Sequence, residues 1–170
     1  MKIAVIGYSG AGKSTLARGL GERLKCPVLH LDSVYHGPNW TKRNDGEVMQ
    51  EIVDFLDSHD AWVIDGEYPR FHFERRIEEA DRVIIMDFNR FACLCRVWRR
   101  YRRYRGASRP DLAEGCNEKL DLEFLNWVLW KGRSKRRKLR LEGIRDKYPN
   151  KVTVLKSQRQ IDRYLEGLSC

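Results

Sequence analysis

Long apolar runs are missing from this 170-residue chain, and none approaches the roughly 20 residues that a spanning helix needs. No membrane span is expected. The apolar start, MKIAVIGYSG, runs into glycines and Lys13 without a cleavage pattern, so no signal peptide is expected either. Cysteine is scarce: five residues, at 26, 93, 95, 116 and 170, an odd number without a CxxC pair. That excludes a disulfide framework and a cysteine zinc site, and leaves the reduced thiols of a cytoplasmic protein as the expectation. The histidines have no HxxxH or HExxH spacing, and no GxSxG elbow occurs. With only 13 Gly and 5 Pro against 42% hydrophobic residues, a collagenous or disordered chain is excluded. There is no internal repeat, low-complexity linker or sharp composition break, so residues 1–170 read as one domain.

Positive charge is abundant: 33 Lys plus Arg oppose 24 Asp plus Glu, a net charge of +9. Such a surplus favours polyanionic partners, meaning nucleotides, nucleic acid or acidic lipid. It is concentrated. Seven arginines lie at 96, 99, 100, 102, 103, 105 and 109, and seven more cations at 131, 133, 135, 136, 137, 138 and 140, with no acid inside either stretch. The remaining 19 basic residues are outnumbered by the 24 acids, so the rest of the surface is slightly acidic.

Hydrophobic spacing alternates strand and helix. Strands are predicted over 2–6, 28–31, 61–64, 82–88 and 152–155. Between them the spacing predicts a helix through Leu16 and Leu24, one capped by Asn44 with Glu47, a short one over 71–80, a basic one from Arg90 to Arg105, a long one over 121–147 and a last one over 158–168. This alternation implies an α/β fold: a five-stranded parallel sheet in a three-layer arrangement, joined by right-handed crossovers.

Residues 7–14, GYSGAGKS, fit the pattern GxxxxGK[ST] and sit between the first strand and first helix. Glycines let the backbone curl so that N–H groups converge on phosphate oxygens. The expected cradle comprises Gly7, Ser9, Gly10, Ala11, Gly12, Lys13, Ser14 and Thr15, with the following helix adding its positive end. Lys13 would reach the β- and γ-phosphates of ATP, and the Ser14 hydroxyl would ligate Mg²⁺. Asp65 and Asp32 stand at the carboxyl ends of strands, where open α/β sheets bind ligands. Asp65 is the second expected Mg²⁺ residue. Asp32 would bind an acceptor, or act as base if the acceptor is a hydroxyl.

With these motifs in order, the layout resembles the adenylate-kinase-like group of P-loop kinases. The segments LHLDSVYHGPNW, WVIDGEYPR, RYRGASRPDLAEGC and LDLEFLNWV resemble the bacterial FlaR-type "DNA topology modulation" proteins over nearly the whole chain. The resemblance implies ATP as donor, an acceptor region over about 33–60, Arg70 gripping an acceptor phosphate or carboxylate, and a short helical lid over about 96–117. DGEYPR is one residue longer than the DGFPR of adenylate kinases, which argues against AMP. Within the basic segment, Arg99 and Arg103 are the expected lid arginines, with Arg133 and Arg137 as partners from the long helix. Trp40 is a candidate wall of the acceptor pocket. The same basic runs, with Trp98, Tyr101 and Tyr104 interleaved, leave open a rival reading as an ATP-dependent nucleic-acid-binding protein.

Overall fold

In a computed structural model, which describes residues 1–104 and 120–168, five parallel strands form one sheet in the order β2-β3-β1-β4-β5. The strands are β1 (Lys2–Gly7), β2 (Val28–His30), β3 (Trp62–Asp65), β4 (Arg82–Met86) and β5 (Val152–Leu155). All five expected strands and their parallel sense are present. β1 is central because its apolar residues are flanked on both sides, Val5 pairing with Asp65 of β3 and with Ile84 of β4. Ile3, Ala4, Val5 and Ile6 are fully buried, as a strand covered on both faces demands.

Around the sheet lie α1 (Lys13–Leu24), α2 (Leu31–Tyr35), α3 (Asp45–Ser58), α4 (Phe73–Glu79), α5 (Arg90–Arg103), α6 (Leu122–Leu129), α7 (Lys135–Lys147) and α8 (Gln158–Glu166). Several starts are written in the sequence. The Asn44 side chain accepts from the backbone N–H of Gly46 and Glu47, Asn89 from Phe91, and Asp121 from Phe124. On one face α1 buries Leu16, Ala17 and Leu20 with Ile3 and Val5; on the other, α3 buries Val48, Ile52 and Leu56 with Ala4 and Ile6. Each of these leucines, isoleucines and valines contributes about 1.5–3 kcal/mol by leaving water.

Two expectations need correction. The strand over 28–31 stops at His30, and Leu31 opens α2, so Asp32 lies in the first turn of a short helix. The single helix expected over 121–147 is broken. Trp130 leaves helical geometry (φ −133, ψ −66), Lys131–Arg133 form a 3-10 turn, and Ser134 caps α7 by accepting from the Arg137 N–H. The break is tight, since a Cβ on Gly132 would lie 2.7 Å from the Trp127 carbonyl oxygen.

The stretch expected to be a lid begins inside the body of the fold. Cys93 and Val97 of α5 are fully buried, and a Cβ on Gly10 would stand 2.8 Å from Val97 Cγ2. Arg96 to Arg103 therefore continue a helix packed on the residue 7–14 loop. Arg105, Arg109 and the rest of the expected lid up to 117 lie outside the described residues.

Candidate active site

The turn between β1 and α1 depends on glycine. Gly7, Gly10 and Gly12 have φ of 126°, 79° and 96°, a region that L side chains rarely adopt. At Gly7 a Cβ would collide with the Met86 carbonyl. Gly12 is the N-cap of α1, and no side chain caps that helix. Its first-turn N–H groups thus face the adjoining cavity, the arrangement that holds phosphate. Lys13 Nζ donates to the Tyr8 carbonyl at 3.2 Å, folding back over the loop. Burial pushes the Lys13 pKa down; Asp32 draws it up, Arg137 pushes it further down, and Asp65 and Glu67 draw it up.

Beneath the loop, Ser14 Oγ donates to Asp65 Oδ2 at 2.9 Å. The other carboxylate oxygen of Asp65 pairs with His30 Nδ1, its in-register neighbour on β2. Asp65 is only 4% exposed.

A cavity of about 1230 Å³ opens from the loop. Gly10, Gly12, Lys13, Ser14 and Thr15 line it on one side, Arg96, Arg99, Arg100 and Arg103 of α5 on another. Arg96 is anchored: it donates to the Ala11 carbonyl at 3.2 Å and to Gln158 Oε1 at 2.6 Å, and lies over the Phe88 ring. Arg99 and Arg103 are exposed at the cavity edge. Ser9 also lines the cavity and accepts from Trp127 Nε1 at 3.0 Å, tying α6 to the loop.

Asp32, His36, Trp40 and Tyr68 line the same cavity. Tyr68 donates to Asp32 Oδ1 at 2.6 Å, and its hydroxyl is 3.5 Å from His36 Nε2. Burial and the Asp32 charge push the Tyr68 pKa up, so it remains a neutral donor. The Tyr68 loop is set from below by Arg76, which is fully buried and donates to the carbonyls of Gly66, Glu67, Tyr68 and Phe71.

Three arginines are placed differently from expectation. Arg70 does not line this cavity: it pairs with Asp45 at 3.0 Å, lies over the Tyr35 and Phe71 rings, and borders a separate cavity of about 720 Å³ between α4 and α7. Arg133 does not line it either, because its guanidinium lies 4.0 Å over the Tyr8 ring and donates to the carbonyls of Phe88 and Val128. Arg137 does line it, but its donors go to Glu67, the Gly132 carbonyl and the Gly7 carbonyl.

Compared with known proteins, the chain matches no family model. The gluconokinase of Arabidopsis thaliana is 27% identical over 124 residues, 72% of this chain and 57% of that protein. The chain therefore spans little more than half of that relative's length. Among solved structures, shikimate kinase from Acinetobacter baumannii, in complex with shikimate, aligns with a TM-score of 0.61 at 19% identity, covering 98% of this chain and 89% of that one. Deoxyadenosine kinase from M. mycoides with bound dATP aligns with a TM-score of 0.59 at 14% identity, covering 99% of both chains. The fold is that of the P-loop kinases.

On this P-loop kinase fold, sequence reasoning did not single out His30, His36, Glu67, Tyr68, Arg76 or Trp127. Glu67 and Tyr68 sit inside the motif DGEYPR, so the motif was a usable signal. His30 needed the β2–β3 register, and Trp127 the break after α6.

Proposed function

We propose that the chain is a small-molecule kinase that transfers the γ-phosphoryl group of ATP to an acceptor. One observation carries this reading. A single cavity joins the phosphate-binding turn, a row of arginines and a carboxylate–tyrosine pair. The gluconokinase similarity and the kinase structures agree with it.

In this reading the backbone of residues 7–15 and Lys13 hold the donor phosphates. Arg99 and Arg103 balance the charge that spreads over the equatorial oxygens. Asp32 faces the acceptor, and Trp40 and Tyr68 wall it. The Ser14 hydroxyl and the Asp65 carboxylate suit Mg²⁺, being hard oxygen donors already 2.9 Å apart beside the phosphate turn. Bound there, Mg²⁺ would neutralise phosphate charge. Arg70 and Arg133 have no direct part in this scheme.

The finer reading as an adenylate-kinase-like, FlaR-type cytoplasmic protein rests on the sequence motifs. The test is a panel of nucleosides, nucleoside monophosphates, gluconate and shikimate, scored for acceptor-dependent ADP release. Release with one acceptor class supports the kinase. ATP hydrolysis independent of every acceptor but stimulated by DNA would overturn it in favour of the nucleic-acid reading.

A further inference from the structure

Trp127 joins α6 to the phosphate turn by a hydrogen bond whose direction matters. An indole N–H can only donate, so the Ser9 oxygen accepts at 3.0 Å and its own hydrogen is directed away from Trp127. Ser9, Trp127 and Lys13 all line the cavity of about 1230 Å³. Trp127 is 44% exposed, so its indole borders open space instead of filling the core. The indole is nevertheless held in place. Val128, the next residue of α6, is buried in the same apolar cluster as Phe88, Cys93 and Val97. The bend at Gly132 closes on the ring, since a Cβ there would stand 3.0 Å from Nε1 and 3.1 Å from Cε2 of Trp127. A side chain at 132 would therefore crowd the very nitrogen that bonds Ser9.

Lys13 indicates which phosphate this hydroxyl meets. Its ammonium, which in a turn of this kind reaches the β- and γ-phosphates, lies 3.2 Å from the Tyr8 carbonyl oxygen. That carbonyl belongs to the peptide bond joining Tyr8 to Ser9. The β,γ end of a bound triphosphate therefore lies beside Ser9, whereas the backbone N–H groups of the turn cradle the α- and β-phosphates.

We infer that the Ser9 hydroxyl is a side-chain donor to the γ-phosphoryl group, aimed by Trp127, and that this pair makes the site discriminate ATP from ADP. The inference rests on the kinase reading above. Ser9 touches the nucleotide, and Trp127 is a positioning residue that acts through it. A hydrogen bond to a charged oxygen is stronger than one between neutral groups, and ADP has no γ-oxygen to receive it. Fixing the hydroxyl beforehand spares the rotor the ordering that binding would otherwise demand.

The test needs no acceptor. The Mg²⁺ complexes of ADP and of the non-hydrolysable imido analogue of ATP are titrated calorimetrically against the unaltered chain, Ser9→Ala, Trp127→Phe and the double variant. Affinity for the analogue should fall about 10-fold in Ser9→Ala and by a smaller factor in Trp127→Phe, while affinity for ADP stays within about twofold. The double variant should lose no more than Ser9→Ala, because Trp127 acts only through the hydroxyl. An equal loss for both nucleotides in Ser9→Ala, or no loss, overturns the inference and leaves the kinase standing. A selective loss in Ser9→Ala that is absent from Trp127→Phe overturns the positioning role. If the unaltered chain binds neither nucleotide, the kinase reading falls as well.

Discussion

The Ser14 hydroxyl donates to Asp65 across 2.9 Å, joining the first turn of α1 to the end of β3 through residues 51 positions apart. His30 holds the other Asp65 oxygen, so the carboxylate cannot swing away from Ser14. If this pair organises the hydration of Mg²⁺, Asp65→Asn should raise the half-saturating Mg²⁺ concentration for ATP turnover by about 10–100-fold. Titrating Mg²⁺ at fixed ATP measures it. An unchanged half-saturation point rejects the role.

Lys13 is held at a thermodynamic cost, its charge partly desolvated over the turn and its pKa pushed down by burial. A group kept for binding at the expense of stability has a distinctive signature. Lys13→Met should abolish ATP binding, read by equilibrium dialysis, while leaving the melting temperature unchanged or raised. A large drop in melting temperature would make Lys13 a structural residue.

The α5 arginines separate by their partners. Arg96 is fixed on Ala11 and Gln158, whereas Arg99 and Arg103 stand exposed at the edge of the cavity. Only the latter can follow a phosphoryl group as charge develops. Arg99→Ala or Arg103→Ala should lower kcat by about 10³-fold with little change in ATP affinity. Steady-state kinetics of both variants decide between them; unchanged kcat in both removes α5 from the chemistry.

Arg76 holds the turn after β3 by donating to four backbone carbonyls from a fully buried position. The turn is strained, with φ of 123° at Gly66, 21° at Tyr68 and 46° at His72. Arg76→Met would strand those carbonyls away from water. The expected loss is about 3 kcal/mol in urea unfolding, together with weaker acceptor use as Tyr68 is released. A loss below about 0.5 kcal/mol would mean that the turn holds itself.

The strands, the Asn44 helix cap and the phosphate turn were legible because each is a local pattern. Short β-branched runs, Asn44 with Glu47 before an apolar period, and GYSGAGKS carry their own geometry. The broken helix at Trp130 was not legible, since nothing in the spacing of Leu122, Leu125 and Leu129 announces that Trp127 must turn to Ser9. The partners of the arginines were illegible for a related reason. A guanidinium reaches far, and sequence cannot say whether its nearest acceptor is a ligand or a carbonyl. Arg133 found Phe88, Arg137 found Glu67 and Gly7, and Arg70 found Asp45.

His36 gives the fold a pH dependence with a definite sign. Burial lowers its pKa below the ordinary 6.5; Asp32 draws it up, Lys42 pushes it down, and a backbone hydrogen bond at Trp40 draws it up. Above about 6.5 the ring is neutral in both folded and unfolded chains and contributes nothing. As pH falls through that value the unfolded chain takes up a proton that the folded chain resists, so stability declines until the folded-state pKa is passed. His36→Gln should flatten this part of the profile. The measurement is urea unfolding of both proteins from pH 8 downward in steps of about half a unit, compared as a difference so that other titrating groups cancel. A difference that does not change below pH 6.5 would show that His36 is protonated as readily in the folded chain as in the unfolded one.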